Sequence, residues 1–328
     1  MIDRRSFLAA ATGALAVEIR PYSAAAQPAW PNRPLHFIVG FSAGSTPDLI
    51  ARTIAEPLSP LIGQPVVVEN KPGASGNIAA DMVAKARDDH TVGVMININL
   101  TIARLLNPAL AFDPRRDLAP ICLVGTGPLI LALSPRLAKD KAGIDQLRAT
   151  GTKLNYGSVG IGSMAHLGME ILSAKVGMTP THVPYPGNPQ VLAALASNEI
   201  DLALVPAGLA MPQVRAGTIG ALAVASARRS SLAPDVPTLA ELGVPDTEIE
   251  VWVAVAVAAT MPEAYRQKLE QLVLQVIRSP EVSQKLNQQG WDVVAMPADA
   301  FARRRRRSFT FQNTPSGASR ITATIANP

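Results

Sequence analysis

Arg33-Pro34-Leu35-His36-Phe37-Ile38-Val39-Gly40-Phe41-Ser42-Ala43-Gly44-Ser45-Thr46-Pro47-Asp48-Leu49-Ile50-Ala51-Arg52 is an apolar run, then a turn of small residues, then a helical pattern. It predicts a buried strand that feeds a helix through a tight turn. The first N–H groups of such a helix lack intrahelical acceptors, and the aligned peptide dipoles favour an anion there. A ligand carboxylate is the expected occupant.

The same alternation repeats downstream. Leu35–Val39, Val66–Val68, Val92–Ile96, Ile121–Val124, Leu129–Leu133, Leu202–Val205 and Ala221–Ala225 are nearly continuous in aliphatic residues, as strands covered on both faces are. Asp48–Leu61, Gly76–Ala86, Ser163–Val176 and Pro189–Ser197 carry helical spacing between them. Strand–helix units in series predict an α/β fold with parallel-type sheets flanked by helices, which bind ligands beyond the carboxyl ends of their strands. Gly157-Ser158-Val159-Gly160-Ile161-Gly162-Ser163-Met164-Ala165-His166 is a second small-residue turn entering a helix, with Ser163 placed to cap it. Two anion-receptive helix starts in two halves of one chain predict a cleft gripped from both sides. Asn97-Ile98-Asn99-Leu100-Thr101 follows a third strand and offers amide and hydroxyl donors.

Met1–Leu8 carries paired arginines, and the apolar run Leu8–Val17 is too short to span a bilayer. Ala24-Ala25-Ala26 offers a cleavage site before Gln27, so residues 1–26 read as a removable signal peptide and the protein as periplasmic. Arg4-Arg5-Ser6-Phe7-Leu8 fits twin-arginine export as well as an ordinary secretory leader. The formal charge of +5 does not imply a nucleic-acid partner, because Arg303–Arg307 alone supply that amount. Cys122 is the only cysteine, which rules out an intrachain disulfide and suggests a buried small hydrophobe.

Two motifs point toward enzymes. Gly40-Phe41-Ser42-Ala43-Gly44 matches G-x-S-x-G between strand and helix, with Ser42 as nucleophile. That elbow normally follows several strands, however, and none of the four histidines has a triad context. Gly160-Ile161-Gly162-Ser163-Met164-Ala165 matches G-x-G-x-x-A, but Met178–Pro186 holds no acidic residue for a ribose. No cluster has metal-ligand spacing, so neither metal nor cofactor is expected, and His166 reads as a hydrogen-bonded residue of loop or helix.

The ordered set Arg33-Pro34, Gly44, Asp48–Arg52, Val67–Gly76, Asp117–Pro120, Tyr156–Ser158, Gly160–Ser163, His166-Leu167 and Val183–Gly187 resembles the substrate-binding proteins of tripartite tricarboxylate transporters, the Bug family. Ala216-Gly217, Ala221–Val224, Pro234–Thr238 and Glu241–Gly243 extend the match, which runs to about Ala300. The resemblance implies a two-lobed periplasmic binding protein that closes on a small organic carboxylate and hands it to membrane permease subunits. It implies a first lobe from residues 27–124 and 251–302, a second from 125–250, and crossings near Leu123–Gly125 and Glu250–Val253. Carried over, it points to Phe41, Ala43, Gly44, Ser45, Ser158, Gly160, Gly162 and Ser163 as ligand contacts, completed by Thr46, Asn99, His166, Tyr185 and Asn188. The expected chain is a monomer without enzymatic activity. A receptor presenting its ligand to a sensor kinase is the alternative within binding proteins, and a secreted serine hydrolase using Ser42 the alternative outside them.

Four departures stand out. Gly44-Ser45 replaces the family's paired glycines, Gly40 stands where a proline often opens the turn, Pro186 replaces a common lysine, and Asp88–Thr91 lacks a Gly-aromatic pair. Residues 303–328 depart further: consecutive arginines repel one another and the remainder is rich in Ser, Thr, Ala and Gly, which predicts a disordered tail.

Overall fold

The computed structural model describes residues 30–101, 103–137, 142–150 and 153–304. Residues 1–26, expected to form a signal peptide, lie outside them, as does the tail beyond Arg304. In chain order the elements are β1 (Leu35–Val39), α1 (Thr46–Ile62), β2 (Val66–Asn70), α2 (Asn77–Ala84), β3 (Thr91–Ile96), α3 (Asn97–Leu100), α4 (Ala103–Leu106) and β4 (Leu118–Leu133). There follow α5 (Ala142–Thr150), β5 (Asn155–Ser158), α6 (Met164–Val176), β6 (Thr181–Pro184), α7 (Asn188–Ala196), β7 (Leu202–Pro206), α8 (Ala207–Arg215) and β8 (Gly220–Val224). The last are β9 (Glu250–Ala258), α9 (Glu263–Arg278), α10 (Pro280–Gln288) and β10 (Asp292–Pro297).

The strands form one curled sheet in the order β2-β1-β3-β9-β4-β7-β5-β6, with β8 and β10 also on β4. Parallel pairing is confined to β2-β1-β3 at one end and β7-β5-β6 at the other. All pairings of β4 and β9 are antiparallel. Helices cover the sheet with apolar stripes: Ile50, Ile54 and Leu58 of α1 are fully buried, as are Leu35, Phe37 and Val39 of β1. β2 departs from the two-face burial expected of it, because it is the sheet's edge and its residues are half-buried or exposed.

The two runs expected as separate strands, Ile121–Val124 and Leu129–Leu133, are one 16-residue strand. Gly125-Thr126-Gly127-Pro128 reads as a turn, yet close packing claims those glycines. A Cβ on Gly125 would sit 2.8 Å from the Asp292 carbonyl oxygen, and one on Gly127 3.2 Å from that of Gly290. The first part of β4 lies along β9 from Leu118↔Ala258 to Pro128↔Glu250, and the second along β7 from Leu129↔Pro206 to Leu133↔Leu202. β4 and β9 therefore form a hydrogen-bonded ribbon joining the two parallel strand groups.

Cys122 is buried as expected, and burial pushes its thiol up to about 12, which leaves it unreactive. Residues 298–304 are helical, so order extends past Ala302, where the sequence suggested it would stop. Phe301 is fully buried, edge-on to Trp252 at 5.2 Å between ring centroids, and Arg304 Nη2 donates to Glu250 Oε2 at 2.8 Å. No described helix is long and apolar enough to cross a membrane.

Candidate ligand-binding cleft

Strand β1 is followed by Gly40, where a Cβ would stand 2.5 Å from the Gly76 Cα, so only glycine lets the loop before α2 pass. Residues 41–45 then turn into α1. Asp48 braces this turn from inside the helix: it is 1% exposed, and its Oδ2 accepts from the Gly44 N–H at 2.9 Å. Its Oδ1 accepts from Asn70 Nδ2 at 2.9 Å, and Asn70 Nδ2 also donates to the Phe41 carbonyl at 2.9 Å. Arg52, one helical turn on, lies 2.9 Å from Asp48 Oδ1. Burial opposes the charge on Asp48, but the bonds from Arg52, Gly44 and Asn70 outweigh it and hold the carboxyl below its usual range.

From the other strand group, the turn after β5 enters α6. Ser163 caps that helix as the sequence suggested, its Oγ accepting from the His166 N–H at 3.2 Å. The starts of α1 and α6 meet at one cavity of ≈ 30 Å³, joined by the start of α7 through Asn188. Ser45, Thr46, Ser163 and Asn188 supply its polar surface; Phe41, Pro47, Ile96, Leu129, Val159, Met164, Ala165, Leu204, Pro206 and Val251 supply the rest. Among the described residues neither the Thr46 nor the Ser163 hydroxyl proton has an acceptor, since Thr46 Oγ1 accepts from Asn188 Nδ2 at 3.3 Å and Ser163 accepts from His166. Those protons and the first-turn N–H groups of Thr46, Asp48, Met164 and Ala165 are the donors on offer to an anion, since Pro47 has no N–H and that of His166 is spent on Ser163.

An outer recess of ≈ 330 Å³ adjoins, lined by Gly40, Gly73–Gly76, Gly160–Ile161 and Pro184–Pro186, and shares Phe41 and Val159 with the inner cavity. The two sides are clasped across it. Ser42 N donates to the Pro186 carbonyl at 3.2 Å, Ser42 Oγ to Gln190 Oε1 at 3.0 Å, and Ser75 Oγ to the Ile161 carbonyl at 2.7 Å. The inner cavity is about the size of two waters. A carboxylate with a carbon chain therefore enters only when these clasps part.

The expected contacts divide in two. Phe41, Ser45, Thr46, Ser163 and Asn188 line the inner cavity, while Gly160 and Tyr185 line the outer recess. The N–H groups of Gly44, Gly160 and Gly162 are engaged within the chain, donating to Asp48 Oδ2, Ser158 Oγ and His166 Nδ1. These glycines shape the turns, and the ordered helix starts beside them carry the free donors. Ala43 is outside the cavity. Asn99 is 1% exposed and spends its amide on the Ser75 carbonyl and Asn77 Oδ1, holding the loop before α2. Asp48, Asn70, Ser75 and Gln190 were missed as working residues. Only Asp48 left a signal, because Ser45-Thr46-Pro47-Asp48 has capping-box spacing. Its carboxylate reaches the amide of Gly44, one residue short of the Ser45 amide such a box uses.

Behind the second turn, His166 and His182 lie with ring centroids 4.5 Å apart, and Tyr156 stacks on His182 at 4.8 Å. Ser158 Oγ is 2.7 Å from His182 Nε2, and Tyr156 donates to Glu170. The Ser158–His182 contact has the spacing of a nucleophile and base, but Ser158 is 1% exposed and also holds the Gly160 N–H. Burial, then the neighbouring His166, lower His182 to about 4, and burial lowers His166 against the opposing charge of Glu170. Above about pH 6.5 both rings are neutral whether the chain is folded or not. Below it the unfolded chain takes up protons that the folded chain resists, so stability falls with pH, by roughly 1 kcal/mol per unit down to about 4 after allowance for partial exposure. His182→Gln should flatten that limb of the stability curve. Urea midpoints at pH 7 and pH 5 check it; an equal acid loss in the variant would refute it.

The model of the tripartite tricarboxylate transporter family receptor matches residues 50–307. The chain belongs to that family. A UPF0065 protein of Bordetella pertussis is 36% identical over 265 residues, covering 80% of this chain and 81% of that one. The periplasmic binding protein BugD superposes with a TM-score of 0.84 at 25% identity over 90% of this chain and 98% of that one. R. palustris Rpa4515, solved with adipate, superposes with a TM-score of 0.84 at 29% identity, covering 90% and 98%. The fold is that of the two-lobed periplasmic binding proteins, as the resemblance implied, and it is α/β with helices flanking the sheet, as the alternating elements suggested. Membership of this receptor family makes the chain a periplasmic solute-binding protein and no enzyme, which closes the hydrolase reading of Ser42. The local geometry agrees, since the hydroxyl of Ser42 is donated to Gln190. Ser42→Ala should change no background ester hydrolysis, as a chromogenic ester assay would verify.

Proposed function

We propose that this receptor captures a small organic carboxylate between its lobes and delivers it to the membrane permease subunits of a tripartite tricarboxylate-type transporter. The first lobe comprises residues 27–124 and 251–302 and the second 125–250, with the β4–β9 ribbon as the hinge. The supporting observation is the convergence of the α1 and α6 starts, from opposite strand groups, on one cavity bearing the hydroxyls of Thr46 and Ser163. An anion held there bridges the two lobes, and so favours the closed arrangement over the open one. Rpa4515 with adipate shows that a relative of this fold is found with a carboxylate.

The test is a thermal-shift screen of carboxylates followed by calorimetry. A ligand that binds only the folded chain stabilises it by about 2.7 kcal/mol at a hundred times its Kd. Ligand-bound receptor should also bind detergent-solubilised permease subunits more tightly than free receptor. A carboxylate panel without effect would refute capture, and ligand-independent permease binding would refute delivery.

A further inference from the structure

Ligand selection follows from how unevenly polarity is distributed in the cavity. All four polar lining residues, Ser45, Thr46, Ser163 and Asn188, belong to helix starts. The opposite wall is the sheet: Ile96 of β3, Leu129 of β4, Leu204 of β7 and Val251 of β9. These four sit inside strand pairings, with Ile96 opposite Val253, Leu129 opposite Pro206, Leu204 opposite Leu131 and Val251 opposite Gly127. Asn97, which follows Ile96 in the chain, is spent, its amide donating to the Glu250 carbonyl and accepting from Trp252 N–H.

Among the described residues no charged side chain lines either the inner cavity or the outer recess. The hydroxyls of the recess are engaged as well, Ser75 with Ile161 and Tyr185 with Glu199. A second carboxylate would be stripped of water with no charged side chain and no unengaged side-chain hydroxyl of the recess to receive it, which is costly in a closed site. A ligand amine would equally lack a carboxylate partner. An apolar body suits the wall, each buried methylene being worth about fourfold in affinity.

Resting on the carboxylate-capture reading, we propose that the ligand is a monocarboxylate with an uncharged apolar body, and that dicarboxylates and amino acids are rejected by the sheet-side wall. Its carboxylate lies at the α1 and α6 starts and its body runs against Leu129, Val159 and Val251.

Calorimetry on the full-length receptor with the chain-matched pairs butyrate/succinate and hexanoate/adipate decides it. The expected result is that at least one monocarboxylate binds tenfold or more tightly than its dicarboxylate partner. Adipate or succinate binding as tightly as the matched monocarboxylate would overturn the ligand class while leaving carboxylate capture standing. No binding by any of the four would overturn both. Val159→Lys, at a half-buried loop position, places a cation against the body and should shift the preference at least tenfold toward the dicarboxylate. An unshifted preference in that variant, shown to be folded by circular dichroism, would overturn the assignment of selection to this wall.

Discussion

Asp48→Ala is expected to lower unfolding stability by about 3 kcal/mol and to weaken ligand binding more than tenfold. The residue is 1% exposed and its carboxylate takes hydrogen bonds from the Gly44 amide, Asn70 and Arg52. Removing it strands the half-buried Gly44 amide and one bond of Asn70, while the exposed Arg52 turns to water, and a buried donor left without a partner costs ~1–3 kcal/mol. The loss in binding has a separate origin. With the Gly44 amide released and Asn70 left only with the Phe41 carbonyl and Arg52, the turn that places Ser45 and Thr46 at the cavity is no longer pinned to α1, so the donors must be ordered at the expense of binding. Asp48→Asn keeps one acceptor oxygen and should lose about half as much of each quantity. The carboxyl is held below its usual pKa in the folded chain, so its contribution is complete above about pH 4 and lost as pH falls through the lowered value. Urea unfolding and calorimetry at neutral pH measure both effects. An unchanged midpoint in Asp48→Ala would show that the turn is held by something else.

Gly162→Val should reduce ligand affinity by a hundredfold or more while the fold persists. Gly162 has φ +78°, a region that costs a residue with a Cβ roughly 1–2 kcal/mol and a β-branched one more. A Cβ there would stand 2.2 Å from Leu106 Cδ1 and 2.8 Å from Ile98 Cδ1. Those side chains belong to α4 and α3, on the far side of the cleft from α6, so the added bulk wedges the closed arrangement open. The effect therefore falls on closure. Affinity by calorimetry and the urea midpoint separate the two: binding should collapse while stability drops by only a few kcal/mol. Full affinity in the variant would remove this turn from the closing surface.

The fold was legible because its determinants are local. Leu35–Val39 and Asp48–Leu61 declare a strand and a helix by period alone, and the structure places them at Leu35–Val39 and Thr46–Ile62. β4 was misread as two strands because Gly125-Thr126-Gly127-Pro128 has the composition of a turn, and only the approach of residues 290–293 explains those glycines. At the cleft, the helix starts were legible for the same local reason. The occupation of the amides was not, because Gly44, Gly160 and Gly162 look like free donors until Asp48, Ser158 and His166 are seen to accept from them. The clasp by Ser42, Ser75 and Gln190 joins residues far apart in sequence and leaves no periodic trace.

The ribbon of β4 and β9 also dictates when the molecule can be completed. β3 finds one neighbour in β1, close in sequence, but its other neighbour is β9, which begins only at Glu250. Until that segment is available, β3 presents an unpaired edge of Val92, Val94 and Ile96, side chains that are buried in the finished molecule. The amino-terminal strand group therefore cannot be finished until β9 has been synthesised. Pairing across so many residues makes slow folding with an aggregation-prone interval the expectation. Refolding from urea should accordingly form the β5–β7 group before the β1–β3 group, because β4 and its partners β7 and β8 all lie within residues 118–224.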